Sequence, residues 1–267
     1  LLASTYSFSA SLKNFLGKKE EAKKDMASAL KIDPQNGFVL WDMANMISRE
    51  NTNPDEATDY YKKAIASLEY SKDKEACFID LYLHERTRLN YVAAIQAIDA
   101  AIRLNSSDAN HYWDKAYLLK QKKDYANSIL NYDKAISLGI KDSANRARIY
   151  LERGQAKQKM NDNNGALFDF QKSIELKPSY DNYSALGRFF KMKMKQNELG
   201  DGNLQKAMEL SFLPNKPKDT TTNYVYAAAA MGDKRTVDRL MQKMLVNASA
   251  KIGQLANEYH NAACVYT

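Results

Sequence analysis

Bulky and small apolar residues recur along this chain at helical spacing, and the recurrence has a longer period of its own. A bulky apolar residue stands three positions before a small one, which is followed at once by Leu, Ile or Met. The sets are Met26, Ala29 and Leu30; Tyr61, Ala64 and Ile65; Ile98, Ala101 and Ile102; and Tyr132, Ala135 and Ile136. Phe170, Ser173 and Ile174, then Leu204, Ala207 and Met208, and finally Met241, Met244 and Leu245 complete the series, the last departing from the small-residue rule. Successive small positions lie 34 to 38 residues apart. Positions three and four apart share one face of a helix, so the small residue admits a neighbouring helix while the large one fills the gap beside it. About half a period upstream a second apolar segment carries Ala10, Ala44, Ala116, Gly154 and Gly187. Each period therefore predicts a helix, a tight turn and a second helix. The units fall at about 3–36, 38–71, 75–108, 109–142, 147–179, 180–213 and 218–251, with a partial eighth at 256–267.

Turn chemistry divides the chain in the same places. Asn53-Pro54-Asp55-Glu56 sets a cap residue before a Pro at the first helical position, with Glu three residues after the cap. Asp33-Pro34 and Lys177-Pro178 predict helix ends, because the residue before Pro is pushed out of the α region. Asn161 to Gly165, Gly200-Asp201-Gly202-Asn203 and Gly232-Asp233 are expected as punctuation between helices. No stretch sustains the alternation of a strand, so the fold class is all-α. Unbroken periodicity predicts a single solenoid over residues 1–267, in which each repeat buries its apolar face on its neighbours. A first residue other than Met and a last unit that stops after one helix read as a piece of a longer chain.

The pattern resembles the tetratricopeptide repeat family, whose unit of about 34 residues carries an aromatic residue, a Leu-Gly-like pair, a Tyr, a later Ala-x3-Phe and a closing Pro. The fifth unit carries it most fully, in Tyr150, Gly154, Ala166, Phe170 and Pro178. The first offers Tyr6, Ala10, Gly17, Ala22, Met26, Ala29 and Pro34, and the second Trp41, Ala57, Tyr61 and Ala64, with Glu69 in place of the Pro. The sixth has Tyr183, Leu186, Gly187 and Phe190 before an irregular stretch, and the seventh is weakest. The resemblance implies a right-handed superhelical solenoid of about seven antiparallel helix pairs. It also implies a concave groove, lined by the first helices, that receives an extended peptide or partner helix. Carried onto this sequence, the groove candidates are Asp80 and Arg86 in the third unit and Trp113, Asp114 and Tyr117 in the fourth. The fifth adds Arg148, Glu152 and Gln155, and the sixth Arg188. Tyr112 occupies the family's packing aromatic position, which frees Trp113 for the groove; the alternative is that Trp113 packs between helices, where aromatic residues at helical spacing more often stand.

One binding mode of the family can be tested residue by residue. The clamp that grips chaperone C-terminal tails needs Lys and Asn in one first helix, Asn in the next, and Lys and Arg in the third. The first three units give Ser7, Ser11, Met43, Ala76 and Asp80, and a later window Ile79, Leu83, Asp114, Arg148 and Glu152. Binding of chaperone tails through that clamp is disfavoured.

Charge and composition change this picture little. The formal net charge is +7, and much of the lysine stands at helix ends and turns, as in Lys18-Lys19, Lys62-Lys63 and Lys122-Lys123. Such a rim is solvated and favours the negative ends of helix dipoles; with no RNA-binding motif, nucleic acid is not the expected partner. Cys77 and Cys264 stand in units far apart and read as small packing residues. No uncharged segment approaches the roughly 20 apolar residues of a membrane span. Enzymatic motifs are absent: His84, His111 and His260 have no paired metal-ligand spacing, and there is neither a phosphate loop nor a nucleophile elbow. The acidic Asp162–Gly165 segment lacks the ligands of a calcium loop. The chain is thus expected to be a non-enzymatic scaffold for a protein or peptide partner, with no cofactor and no metal. The alternative expectation is a sensory or regulatory segment of a larger multidomain protein.

Overall fold

The computed structural model describes residues 2–51, 53–211 and 220–247. Those residues form helices and turns, with no strand among them. In chain order the helices are α1 (Leu2–Phe15), α2 (Lys19–Ile32), α3 (Gly37–Glu50), α4 (Pro54–Ser67), α5 (Ser71–Thr87), α6 (Tyr91–Leu104), α7 (Ala109–Gln121) and α8 (Tyr125–Leu138). There follow α9 (Ser143–Lys159), α10 (Asn163–Leu176), α11 (Tyr180–Phe189), α12 (Asn197–Ser211), α13 (Thr220–Met231) and α14 (Lys234–Asn247). The chain divides into two compact units, residues 1–139 and 140–267. In the first, α1 packs on α2, α3 on α4, α5 on α6 and α7 on α8; in the second, α9 packs on α10, α11 on α12 and α13 on α14. The partial eighth repeat, His260, Cys264 and the side chains of Met244 and Leu245 lie outside the described residues.

The expected packing frame is the observed core. Ala29, Ala64, Ala101, Ala135, Ser173 and Ala207 are sealed from solvent, and their bulky partners Met26, Tyr61, Ile98, Tyr132, Phe170 and Leu204 are buried with them, as is Met241 of the last described pair. In the first unit one cluster joins Ala3, Met26, Val39 and Met46, and a second runs from Leu40 through Tyr61, Cys77 and Tyr82 to Leu118. Cys77 is sealed within it, and burial pushes its thiol up to about 12. In the second unit Phe170, Leu186, Phe189 and Phe190 form one cluster, and Val225, Ala228, Val237 and Met241 another.

A feature of the turns goes beyond the sequence pattern. The residue that closes the first helix of every pair is left-handed: Gly17, Asn51, Leu89, Lys123, Asn161, Lys195 and Gly232, with φ between 52° and 80°. At most of these turns the next residue donates its N–H back five residues, from Lys18 to Lys13, Asn90 to Glu85, Asp124 to Leu119, Asp162 to Lys157 and Asp233 to Ala228, at 2.9–3.0 Å. This is the helix-ending pattern that glycine ordinarily serves, yet only two of the seven positions are glycine. The donating residue then caps the second helix: the side chains of Asn90, Asp124, Asp162 and Asp233 each accept from the N–H three residues on. Asn53 caps α4 in the same way, with Pro54 at the first helical position, and its amide also donates to the Glu56 carboxylate at 3.0 Å.

One expected turn is corrected. Gly200 to Asn203 lie inside α12 and separate no helices. Gly200 is there for proximity: a Cβ on it would stand 3.0 Å from the Gly187 carbonyl oxygen, and one on Gly187 would stand 2.7 Å from Leu204 Cγ. The two glycines let α11 and α12 touch backbone to backbone. The turn itself comes earlier, at Lys195, after α11 has loosened into a π-helical stretch, Phe190–Met194. The extra residue of that stretch lengthens the closing bond, which runs from Gln196 back six residues to Phe190 at 3.0 Å.

Candidate partner-binding surface

The candidates of the first unit sit on α5 and α7, tied to helices of the preceding repeats. Trp41 Nε1 on α3 donates to Asp80 Oδ2 on α5 at 2.8 Å. The Tyr82 hydroxyl on α5 donates to Asp114 Oδ1 on α7 at 2.7 Å and accepts from the Arg86 guanidinium at 2.7 Å. That guanidinium also lies 5.2 Å from the centre of the Tyr82 ring. One repeat earlier, Ser7 of α1 donates to Asp42 of α3. The first helices of four repeats are therefore linked in one sense, each carboxylate receiving a proton donor from the repeat before it. Burial raises the carboxyls of Asp42 and Asp114 above the usual range, tempered by these hydrogen bonds and by Arg49 and Arg86 respectively. Asp42, Trp41 and Tyr82 belong to this row although none of them is among the groove candidates. The signal was the spacing of the three carboxylates, 38 and 34 residues, which is the repeat period.

Trp113 and Tyr117 lie one turn apart on α7, both half-buried. Lys120 Nζ stands 5.7 Å from the Tyr117 ring centre. Tyr112 has Lys134 of α8 at 5.9 Å from its ring, so it meets the second helix of its own pair. In the second unit Arg148 is exposed and donates from Nε to the buried Glu152 at 3.1 Å, Gln155 is half-buried and Arg188 is exposed. The structure thus joins Arg86 to Asp114 through Tyr82, and Arg148 to Glu152.

The histidines of the described chain are buried and engaged. His84 meets the Ser48 hydroxyl through Nδ1 at 2.7 Å and the Pro54 carbonyl through Nε2 at 2.9 Å. Its neighbour Glu85 receives Thr58 and Asn90, while Arg88 ties it to Asp55. His111 Nε2 lies 2.8 Å from Glu75 Oε1. No described helix is long and apolar enough to cross a membrane.

Antiparallel helix pairs, each turning at a left-handed residue and packed through one small-residue frame, define an all-α helix-pair repeat protein. The tetratricopeptide repeat model matches residues 3–36, 110–138 and 147–180, and the chain resembles that family. Among solved structures, the C-terminal part of a tetratricopeptide repeat-containing protein from Cytophaga hutchinsonii is 18% identical, with a TM-score of 0.66 over 94% of this chain and 98% of that one. A structure of MamA is 23% identical, with a TM-score of 0.56 over 66% of this chain and 91% of that one. YrrB, described as a repeat protein with an unusual peptide-binding site, is 16% identical, with a TM-score of 0.55 over 69% of this chain and 91% of that one. No curated protein matches the chain in sequence. The repeat match and these structures place its fold among the helix-repeat solenoids.

Proposed function

We propose that the chain is a non-enzymatic scaffold that holds an extended peptide or partner segment against the first helices of its repeats. The observation that carries this reading is the face of α7. There two aromatic side chains one turn apart, Trp113 and Tyr117, stand beside a carboxylate, Asp114, whose position is fixed from the preceding repeat. Half-buried aromatics next to fixed polar groups are the composition of binding hot spots, since they bring large contact area at small entropic cost. Arg148, Glu152, Gln155 and Arg188 supply the corresponding first-helix surface in the second unit. The peptide-binding description of YrrB supports the same direction.

The test compares capture by the immobilised wild-type chain with capture by the Trp113→Ala, Tyr117→Ala double variant, in lysate of the source cells with mass-spectrometric readout. Truncating two hot-spot aromatics costs about 2 kcal/mol or more each, so proteins enriched on the wild type are expected to be lost from the variant while its circular dichroism is unchanged. Equal enrichment on both proteins would remove α7 from the binding surface.

A further inference from the structure

The repeat register brings together three metal-ligating side chains that the sequence scatters. Glu75 stands in α5 and His111 in the first turn of α7, 36 residues on, so the two occupy near-equivalent places in neighbouring first helices. Asp108 is the residue that caps α7. One donor atom from each of Glu75, Asp108 and His111 lies within 4.8 Å of the other two. The His111 side chain is only 6% exposed, and its Nε2 faces the Glu75 carboxylate, itself 19% exposed. A buried imidazole aimed at a pair of carboxylates, with the acidic side toward solvent, combines nitrogen and oxygen donors with a route of entry.

We propose that Glu75, Asp108 and His111 form a binding site for a divalent first-row transition ion of the Zn²⁺ type. Imidazole nitrogen with carboxylate oxygen suits such ions, whereas Ca²⁺ and Mg²⁺ take oxygen alone. Tetrahedral ligands at about 2.1 Å from Zn²⁺ stand about 3.4 Å apart. Donor atoms that all lie within 4.8 Å of one another reach that spacing with side-chain movements of about 1 Å. The outer contacts already orient the ligands, as metal sites require. Asn105 Nδ2 donates to Glu75 Oε1 at 3.0 Å, and the Asn110 backbone and side-chain amides both donate to Asp108 Oδ1, at 2.8 and 2.9 Å. With Oδ1 held by Asn110, Asp108 Oδ2 is the oxygen that an ion would take. The bound ion staples α5 to the start of α7 across the α6–α7 turn and so joins the third and fourth repeats.

The experiment titrates the full-length, chelator-treated chain with Zn²⁺ by calorimetry and with Co²⁺ by visible absorption. Wild type is expected to bind one ion at this site, to show d–d bands with Co²⁺, and to melt at a higher temperature with Zn²⁺ present. Asp108→Asn is the decisive variant, because Asn caps a helix as well as Asp does while giving up the charge. It is expected to keep the metal-free melting temperature and to bind at least tenfold more weakly. Glu75→Gln is expected to behave alike, and His111→Ala to lose the Co²⁺ bands. The proposal is overturned if wild type binds neither ion, or if affinity survives unchanged in Asp108→Asn or His111→Ala.

Discussion

Asp114 shows how a single side chain can be placed by the repeat frame while the groups that hold it stay hidden from that frame. The frame puts Asp80 and Asp114 on the first-helix face, where they read as contacts for a partner. It does not reveal that Trp41 and Tyr82 reach them, because those donors come from the preceding repeat and their arrival depends on rotamers rather than spacing. The same blindness hid the meeting of Glu75 with His111. The burial of Asp114 has a consequence for pH. Its carboxyl is raised above the ordinary 3.8 by desolvation, so the native chain takes up a proton more readily than the unfolded one. Stability from that group is present below the unfolded value and lost as pH rises through the folded one. Asp114→Asn removes this term. The difference in urea midpoint, wild type minus variant, should therefore grow in favour of wild type between about pH 7 and about pH 4.5, the side on which the carboxyl protonates. A midpoint difference flat across that range would mean that Asp114 is as well solvated folded as unfolded.

Helix boundaries were legible wherever a residue does one thing. Asn53-Pro54, Asp162 and the residues before Pro34 and Pro178 mark starts and ends as expected, because caps and X-Pro bonds act on the local backbone. Glycine does two things, and Gly200 to Asn203 read as a turn for that reason: the residue that bends a chain freely is also the one that lets two helices touch. Two neighbouring positions separate the roles. Gly187→Ala would push a methyl group against Leu204 and the Gly200 carbonyl, and an overpacking cost of about 1–3 kcal/mol outweighs the better helix propensity of Ala. Gly202 stands in α12 with nothing within 4 Å of its would-be Cβ, so Gly202→Ala should stabilise by about 0.5–1 kcal/mol. Chemical denaturation should give shifts of opposite sign. If both variants destabilise, Gly202 has a role beyond the helix interior; if neither does, the α11–α12 approach is looser than described.

Across the molecule, the helices of each unit touch their pair mate and the next elements along the chain, which makes stability a sum of local terms. The fold class was readable for that reason, since seven weak matches in phase outweigh any one of them. The occupant of the surface was not readable, because a partner's shape is encoded in the partner. Basic charge narrows it little: Lys13, Lys115, Lys172 and Lys191 pair with Asp25, Asp99, Glu175 and Asp201, and Arg153 and Lys157 share the sealed Asp169. The left-handed residues between paired helices carry a consequence for how such a chain can be rewritten. Leu89 and Lys123 hold the same conformation, and each is followed by the capping residue of a second helix, Asn90 and Asp124. Cutting out residues 90–123, one whole period, sets Leu89 directly before Asp124, and the splice meets a turn already of the right shape. The shortened protein should keep its helicity per residue and a cooperative melt. Removing residues 90–117 instead leaves Leu89 facing Leu118 with no cap, and that chain should lose both. Repeats joined this way behave as interchangeable cassettes, so length can change by insertion or loss of a period without any turn being reinvented.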